Sequence, residues 1–241
     1  MSDKKIRIGE VAKLLGITTQ TLRNWEKQGK LMPERSPGGQ RYYFLDTVER
    51  FALDFVKMGW AWATSAQPPQ LPSDYYCERQ DQFAGRLETM GLLLARTDSV
   101  GESIASLLTS IAGEIGDNSF MHNVGNWPDV PGIFFAHDVT KRMIVLADRG
   151  QGIRNTLLRV RPNIGSDVEA LNIAFTEIVS GRSPEKRGNG LKVVRRIVET
   201  FSIGLLFRSG LAIAQSPKKV SPLKIDMGEE NIRGTNAVIT F

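Results

Sequence analysis

Apolar positions near the front of the chain follow a helical period. Ile8, Val11, Ala12, Leu14 and Leu15 recur close to that spacing and Gly16 ends the run, which predicts one short helix. Thr18 or Thr19 then offers a capping oxygen to a second helix. In it Leu22 and Trp25 face inward, Gln20, Thr21, Arg23, Asn24 and Lys27 stay outside, and Gly29 closes the last turn. Two short helices joined by a tight turn form a helix-turn-helix. Next, "ERSPGGQRYYF" places Pro37, Gly38 and Gly39 at a hairpin tip, with Arg41 and two tyrosines on the returning strand. That is the pattern of a wing.

The proline-rich stretch "ATSAQPPQLPSDYY", residues 63–76, cannot continue a helix and reads as a linker. After it Phe83, Leu87, Met90 and Leu94 stand four, three and four residues apart, an amphipathic helix. Four apolar contacts are too few to specify a coiled coil, so this helix either mediates a homodimer or packs on its own domain. Further on, Ile104, Leu107, Leu108, Ile111 and Ile115 mark a helix over 103–123. Glu114, Asn118 and His122 recur every four residues on a neighbouring stripe. The strands "GIFFAHDV" and "RMIVLAD" follow, the second running into "ADRGQGI". Two glycines flanking one residue after an Asp suit an ordinary surface turn as well as the wall of a ligand pocket.

With 41% apolar residues in 241, and four Trp, eleven Phe and four Tyr, the chain is long enough for two globular domains and is not mainly disordered. The expected class is α+β, with a small domain at 1–65, a linker and helix at 66–97, and an α/β sandwich at 98–241. Apolar runs are too short to cross a bilayer, and "MSDKKIRIGE" lacks the apolar centre of a signal peptide, so no membrane association and a cytoplasmic location are expected. Cys77 is the one cysteine, which excludes an internal disulfide, and a composition with two histidines argues against a zinc site. Residues 1–65 carry 11 Lys or Arg against 7 Asp or Glu, 11 − 7 = +4, and the remainder 20 − 19 = +1. The basic excess sits on the helix-turn-helix, the sign that phosphate binding requires.

Residues 5–56, through the two helices, "LRNWEKQGKL" and "PGGQRYY", resemble the MerR-like winged helix, especially the version found in excisionases and some serine transposon resolvases. The resemblance implies double-stranded DNA as partner, with the second helix in the major groove and the wing on the adjacent backbone. Thr19, Gln20, Thr21, Arg23 and Asn24 would then face bases or phosphates, and Lys27, Arg41 and Tyr42 would hold the backbone. Trp25 and Tyr43 read more simply as core.

Over residues 98–241 a helix with Glu and Asn, a strand pair, Asp-x-Gly-x-Gly, a glycine-containing basic segment, "RGNGL" opening a helix, and Gly-Thr before the last strand follow one another. In that order they resemble the GHKL ATPase fold of gyrases, histidine kinases and anti-sigma-factor kinases. The resemblance implies ATP and Mg²⁺ as cofactors. Asp148 would accept a hydrogen bond from the adenine amine, Gly150 and Gly152 would let the base lie against the backbone beside Ile153, and Thr235 would assist through its hydroxyl or a water. Asn118 would bind magnesium bridging the phosphates and Glu114 would be the general base for the attacking water. Gly188, Asn189 and Gly190 would offer N–H groups to phosphate at the start of the helix from Leu191, and residues 154–187 would form a lid.

Neither His122 nor His137 stands on a helical hairpin suited to a phosphoacceptor, which disfavours a histidine autokinase. The leading expectation is a DNA-binding regulator, dimeric, whose ATP·Mg²⁺ domain hydrolyses slowly and couples nucleotide state to DNA or to a protein partner. The alternatives are an anti-sigma-type Ser/Thr kinase tethered to DNA, and an ATP sensor without hydrolysis in mobile-element or phage-defence machinery.

Overall fold

The computed structural model describes residues 4–15, 17–27, 29–177 and 190–241. The chain is α+β with antiparallel sheets and divides into two compact units, Met1–Asp54 and Phe55–Phe241.

The first unit runs β1 (Lys5–Arg7), α1 (Ile8–Leu15), α2 (Thr19–Lys27), β2 (Glu34–Arg35), β3 (Arg41–Phe44) and α3 (Leu45–Ala52). Its three strands lie in the order β1-β3-β2. Val11, Ala12 and Leu22 meet Ile6, Leu31, Tyr43 and Val48 in one apolar core, with Trp25 packed against it; each fully buried Val or Leu contributes about 1.5–3 kcal/mol. Leu14, grouped with the inward set by its spacing, is 51% exposed, because two residues on from Ala12 is roughly 200° around the helix axis. The N-cap of α2 is Thr18, whose hydroxyl accepts the Thr21 N–H at 3.1 Å. At the other end Lys30 N–H bonds Trp25 O and Gly29 N–H bonds Glu26 O. This Schellman closure places Gly29 at φ +68°, where a Cβ would be strained.

In the second unit β4 (Tyr76–Cys77), β5 (Ile133–Asp138), β6 (Met143–Asp148), β7 (Gly204–Ser216) and β8 (Lys224–Thr240) form one antiparallel sheet in the order β4-β5-β6-β8-β7. Strand alternation divides its faces. Ile133, Phe135, Ile144, Leu146, Leu205, Phe207, Ala237 and Ile239 face a helical layer of α5 (Gln80–Ala95), α6 (Glu102–Asn123), α8 (Asp167–Thr176) and α9 (Gly190–Thr200). Phe83, Met90 and Leu94 of α5 are fully buried in this layer, with the Phe83 ring seated over Gly116 of α6 and edge-on to Phe135 at 5.1 Å. The apolar stripe of α5 is therefore used inside its own unit.

The opposite face of the sheet is covered by α4 (Phe55–Thr64). Gly59 brings α4 onto Val145, Phe134 and Asn236, and a Cβ there would stand 2.8 Å from Val145 Cγ1. Its sequence, FVKMGWAWAT, has no single polar stripe, which suits a helix laid against a sheet. The proline-rich stretch does end a helix, at Thr64. It then runs within the second unit through a short 3-10 turn at Ser73–Tyr75 to edge strand β4, with Tyr75 stacked on Phe55 and Tyr76 on Trp62. Helix α4, grouped by sequence with the front domain, thus belongs to the second compact unit.

Of the expected lid, residues 154–177 fold as most of α7 (Gly152–Leu158) and then α8. Leu157, Ile164, Ala170 and Ile173 close a small core between them. The Asp167 carboxylate at the start of α8 accepts the Leu211 N–H of β7 at 2.9 Å. Gly188 and Asn189, with Gly181, Arg182, Lys186 and Arg187 of the lid, lie outside the described residues.

Candidate functional site

On α2, Gln20, Arg23, Asn24 and Lys27 are exposed, while Thr19 and Thr21 are half-buried. Gln20 and Asn24, one turn apart, share a hydrogen bond at 3.3 Å, and Arg23 Nη1 reaches Gln20 Oε1 at 3.5 Å. The helix therefore presents amides and a guanidinium together, groups suited to base edges and phosphate.

The two remaining residues assigned to the DNA backbone have other partners. Arg41 gives its Nε to Glu26 Oε2 at 2.6 Å, and Arg35 gives Nη2 to Glu26 Oε1 at 2.6 Å. One carboxylate on α2 thus brackets both strands of the wing. Tyr42 stacks edge-on with Phe44 and carries Lys5 Nζ at 4.5 Å over its ring. Hydrogen bonds from Arg41 and then Arg35 hold the Glu26 carboxyl below its ordinary value. The stabilisation is accordingly present above the ordinary carboxylate range and is lost as pH falls through the lower folded value. Glu26→Ala is expected to weaken binding to a mixed-sequence duplex about 3- to 10-fold by freeing the wing, with the secondary structure retained. Fluorescence anisotropy checks it, and unchanged affinity contradicts the clamp.

In the second unit a cleft opens between α6, the end of β6, α7, α9 and β8. It is lined by Asn118, Ser119, His122, Asn123, Asp148, Gly152, Ile153, Thr156, Leu191 and Thr235, over a floor of Ile115 and Phe207. Asp148 is 1% exposed. It accepts Ser119 Oγ at 2.7 Å, Thr235 Oγ1 at 2.5 Å and the Gly150 N–H at 2.8 Å. Burial pushes the Asp148 carboxyl above its ordinary value, against these hydrogen bonds and a further one from the Thr235 backbone N–H, all of which favour the anion.

Glu114 and Asn118 project from successive turns of α6 onto the first residue of α9. A Cβ at Gly190 would overlap the Glu114 carboxylate and stand 3.2 Å from Asn118 Nδ2. Leu191, next in α9, lines the cleft itself. Asp117, the neighbouring carboxylate, accepts Gln80 Nε2 of α5 at 2.9 Å and so faces away from Asn118. No group of three or more His, Cys, Asp or Glu gathers among the described residues. A divalent cation at Asn118 would need its other oxygens from a ligand and water, the habit of magnesium beside phosphate.

The glycines answer to different neighbours. Gly152 has φ +75° with Ser209 Oγ close to where its Cβ would be, and Gly234 has φ +59° against Asp148 and Gly150. The space left by the absent side chain of Gly150 is taken by Asn123, whose Cγ lies 2.5 Å from a built Cβ; Gly150 thus serves the seating of the turn on α6. Free volume in the cleft is about 20 Å³, room for roughly one water molecule.

Ser119, Asn123 and Arg149 escaped the reading of the sequence. The stripe Glu114, Asn118, His122 was legible, yet the adjoining one, Ile115, Ser119, Asn123, points its polar groups at the β6 turn. Asn123 accepts the Gln151 N–H at 2.9 Å while donating to Ser119 O at 2.7 Å. Polar residues at i, i+4 directly beside a buried apolar stripe were the available signal. Arg149 carried none.

Among the described residues no helix is long and apolar enough to cross a membrane. No curated protein matches the chain. Residues 7–43, which hold α1, α2 and the wing, match the family described as MerR family regulatory protein, so the front unit carries a MerR-type helix-turn-helix of the DNA-binding kind.

Proposed function

We propose that this chain is a DNA-binding regulator whose second unit binds ATP with Mg²⁺, hydrolyses it slowly, and couples nucleotide state to DNA or partner binding. The nucleotide part rests on one observation. Residues far apart in sequence, Asn118, Asp148, Gly152, Ile153, Leu191 and Thr235, line a single cleft with Glu114 at its margin. Their chemistry is graded along it: a buried carboxylate at one end, a carboxylate and an amide beside a helix N-terminus at the other. The first end suits the exocyclic amine of a purine. The second suits phosphate and its metal, with the amides at the start of α9 favouring an anion. With about 20 Å³ free, a purine enters by displacing the walls, so binding is coupled to movement of the turns that form them.

Calorimetry of the whole chain with a non-hydrolysable ATP analogue and Mg²⁺ tests this reading. Saturable binding that weakens on omission of Mg²⁺ is expected; no heat at millimolar analogue, with no thermal stabilisation, overturns it. Coupling is tested on a DNA duplex selected from a random library. Equal affinities without nucleotide, with ADP and with ATP would remove that part of the proposal.

A further inference from the structure

We infer that Arg149 is a positioning residue that ties the turn bearing Asp148 to the C-terminal end of α4, so that occupancy of the cleft is transmitted to that helix. The inference rests on the nucleotide reading of the cleft. Arg149 follows Asp148 directly and its side chain leaves the cleft altogether. It is fully buried. Its Nη1 donates to Trp62 O at 2.5 Å and to Ser65 O at 2.9 Å, the carbonyls that end α4 and begin the chain beyond it. Its Nε donates to Asp129 Oδ2 at 2.8 Å, and Nη2 lies 2.6 Å from the same oxygen. A cation on the terminal carbonyls of a helix satisfies groups that the helix itself leaves unpaired.

Asp129 in turn joins the two walls of the cleft. It also receives Arg233 Nη1 at 3.2 Å, and Arg233 precedes Gly234 and Thr235, the second partner wall of Asp148. The backbone on either side of the Arg149 Cα is held by Asp148 and by the Gly150 N–H to Asp148 Oδ1. A ligand that spreads these walls therefore moves the Arg149 Cα, and the guanidinium can follow only by dragging or releasing the end of α4. The seat of α4 is suited to release. Trp62 Nε1 and Asn236 Nδ2 are buried there with no acceptor among the described residues, so docking leaves two donors desolvated without return. In the other direction along the chain, only Leu53 and Asp54 separate α4 from α3 of the helix-turn-helix unit.

Hydrogen exchange on the full chain, with and without the ATP analogue and Mg²⁺, tests the link, with calorimetry run in parallel. In the wild type, nucleotide should change exchange at residues 61–66 by about threefold or more, a local opening read directly. Arg149→Lys keeps the charge but cannot span three oxygens. It should raise exchange at 61–66 without nucleotide and abolish the nucleotide-dependent change, while analogue affinity stays within about threefold. Asp129→Asn, at a partly exposed position, should do the same more mildly and carries the test if the lysine variant does not fold. Binding by the wild type with residues 61–66 unaffected overturns the inference alone, as does a full nucleotide response in Arg149→Lys. A flat calorimetric trace for the wild type overturns the nucleotide reading, and the inference with it.

Discussion

Asp148→Asn is expected to weaken binding of the ATP analogue roughly 10- to 150-fold, the worth of a hydrogen bond to a charged group at about 1.5–3 kcal/mol. The fold should survive. Asn Oδ1 keeps the Gly150 N–H, and Nδ2 takes the place of Oδ2, donating to Ser119 Oγ and Thr235 Oγ1, whose hydroxyls turn to accept. What changes is the face offered to the cleft: a purine amine meets an amide nitrogen, which cannot accept, where it met a carboxylate oxygen. Calorimetry reads the affinity and differential scanning fluorimetry the fold. Unaltered affinity in a folded variant removes Asp148 from base recognition.

The same substitution separates stability from binding through pH. Burial raises the folded Asp148 carboxyl above its unfolded value, so the folded state binds the proton more tightly. That contribution to stability is fully present below the ordinary carboxylate value and is lost as pH rises through the elevated folded one. Ligand affinity runs the other way, because only the ionised carboxylate accepts at both oxygens. Asp148→Asn should flatten both dependences across that window.

Glu114→Ala is expected to lower the rate of ATP hydrolysis about 10²- to 10⁴-fold, the usual contribution of a general base, with analogue affinity changed little. The carboxylate stands over Gly190 beside Asn118, next to the phosphate end of the proposed site. Loss of turnover with loss of binding would mean that Glu114 shapes the site. Full turnover in the variant would remove it from the chemistry. Phosphate release under saturating ATP, corrected for any phosphate transferred to protein, makes the measurement.

Much of this was legible where the cause is local. The Thr18 cap, the Gly29 closure and the inward set around Leu22 follow from residues within one or two turns of each other. The α6 stripe and the alternation in β5 and β6 likewise follow from short periods. Glu114, Asn118, Asp148 and Thr235 could be singled out one by one, because each belongs to a short motif in a recognisable order. Partners that join distant segments were not legible. Nothing within ten residues of Arg149 distinguishes an arginine that caps a helix more than 80 residues earlier. Likewise, Glu26 reads as a solvated helix charge until β2 and β3 bring Arg35 and Arg41 to it. Proline misled for a related reason: it stops a helix wherever it occurs, but whether the next segment links two units or crosses one is decided by what covers it, here Phe55 and Trp62 on Tyr75 and Tyr76.

During synthesis the helix-turn-helix unit has its core residues in hand once α3 has emerged, whereas the seat of α4 waits for β6 and β8, whose Val145 and Asn236 follow Gly59 by more than 80 and more than 170 residues. Phe55 and Trp62 can meet Tyr75 and Tyr76 early, but the sheet face beneath Gly59 is complete only when β8 has emerged. A product that stops before β8 would leave part of α4 uncovered in a polypeptide whose helix-turn-helix unit is already complete. Such a product would be prone to aggregate while keeping its helix-turn-helix unit, so the arrival of β8 decides the fate of a polypeptide already equipped for DNA.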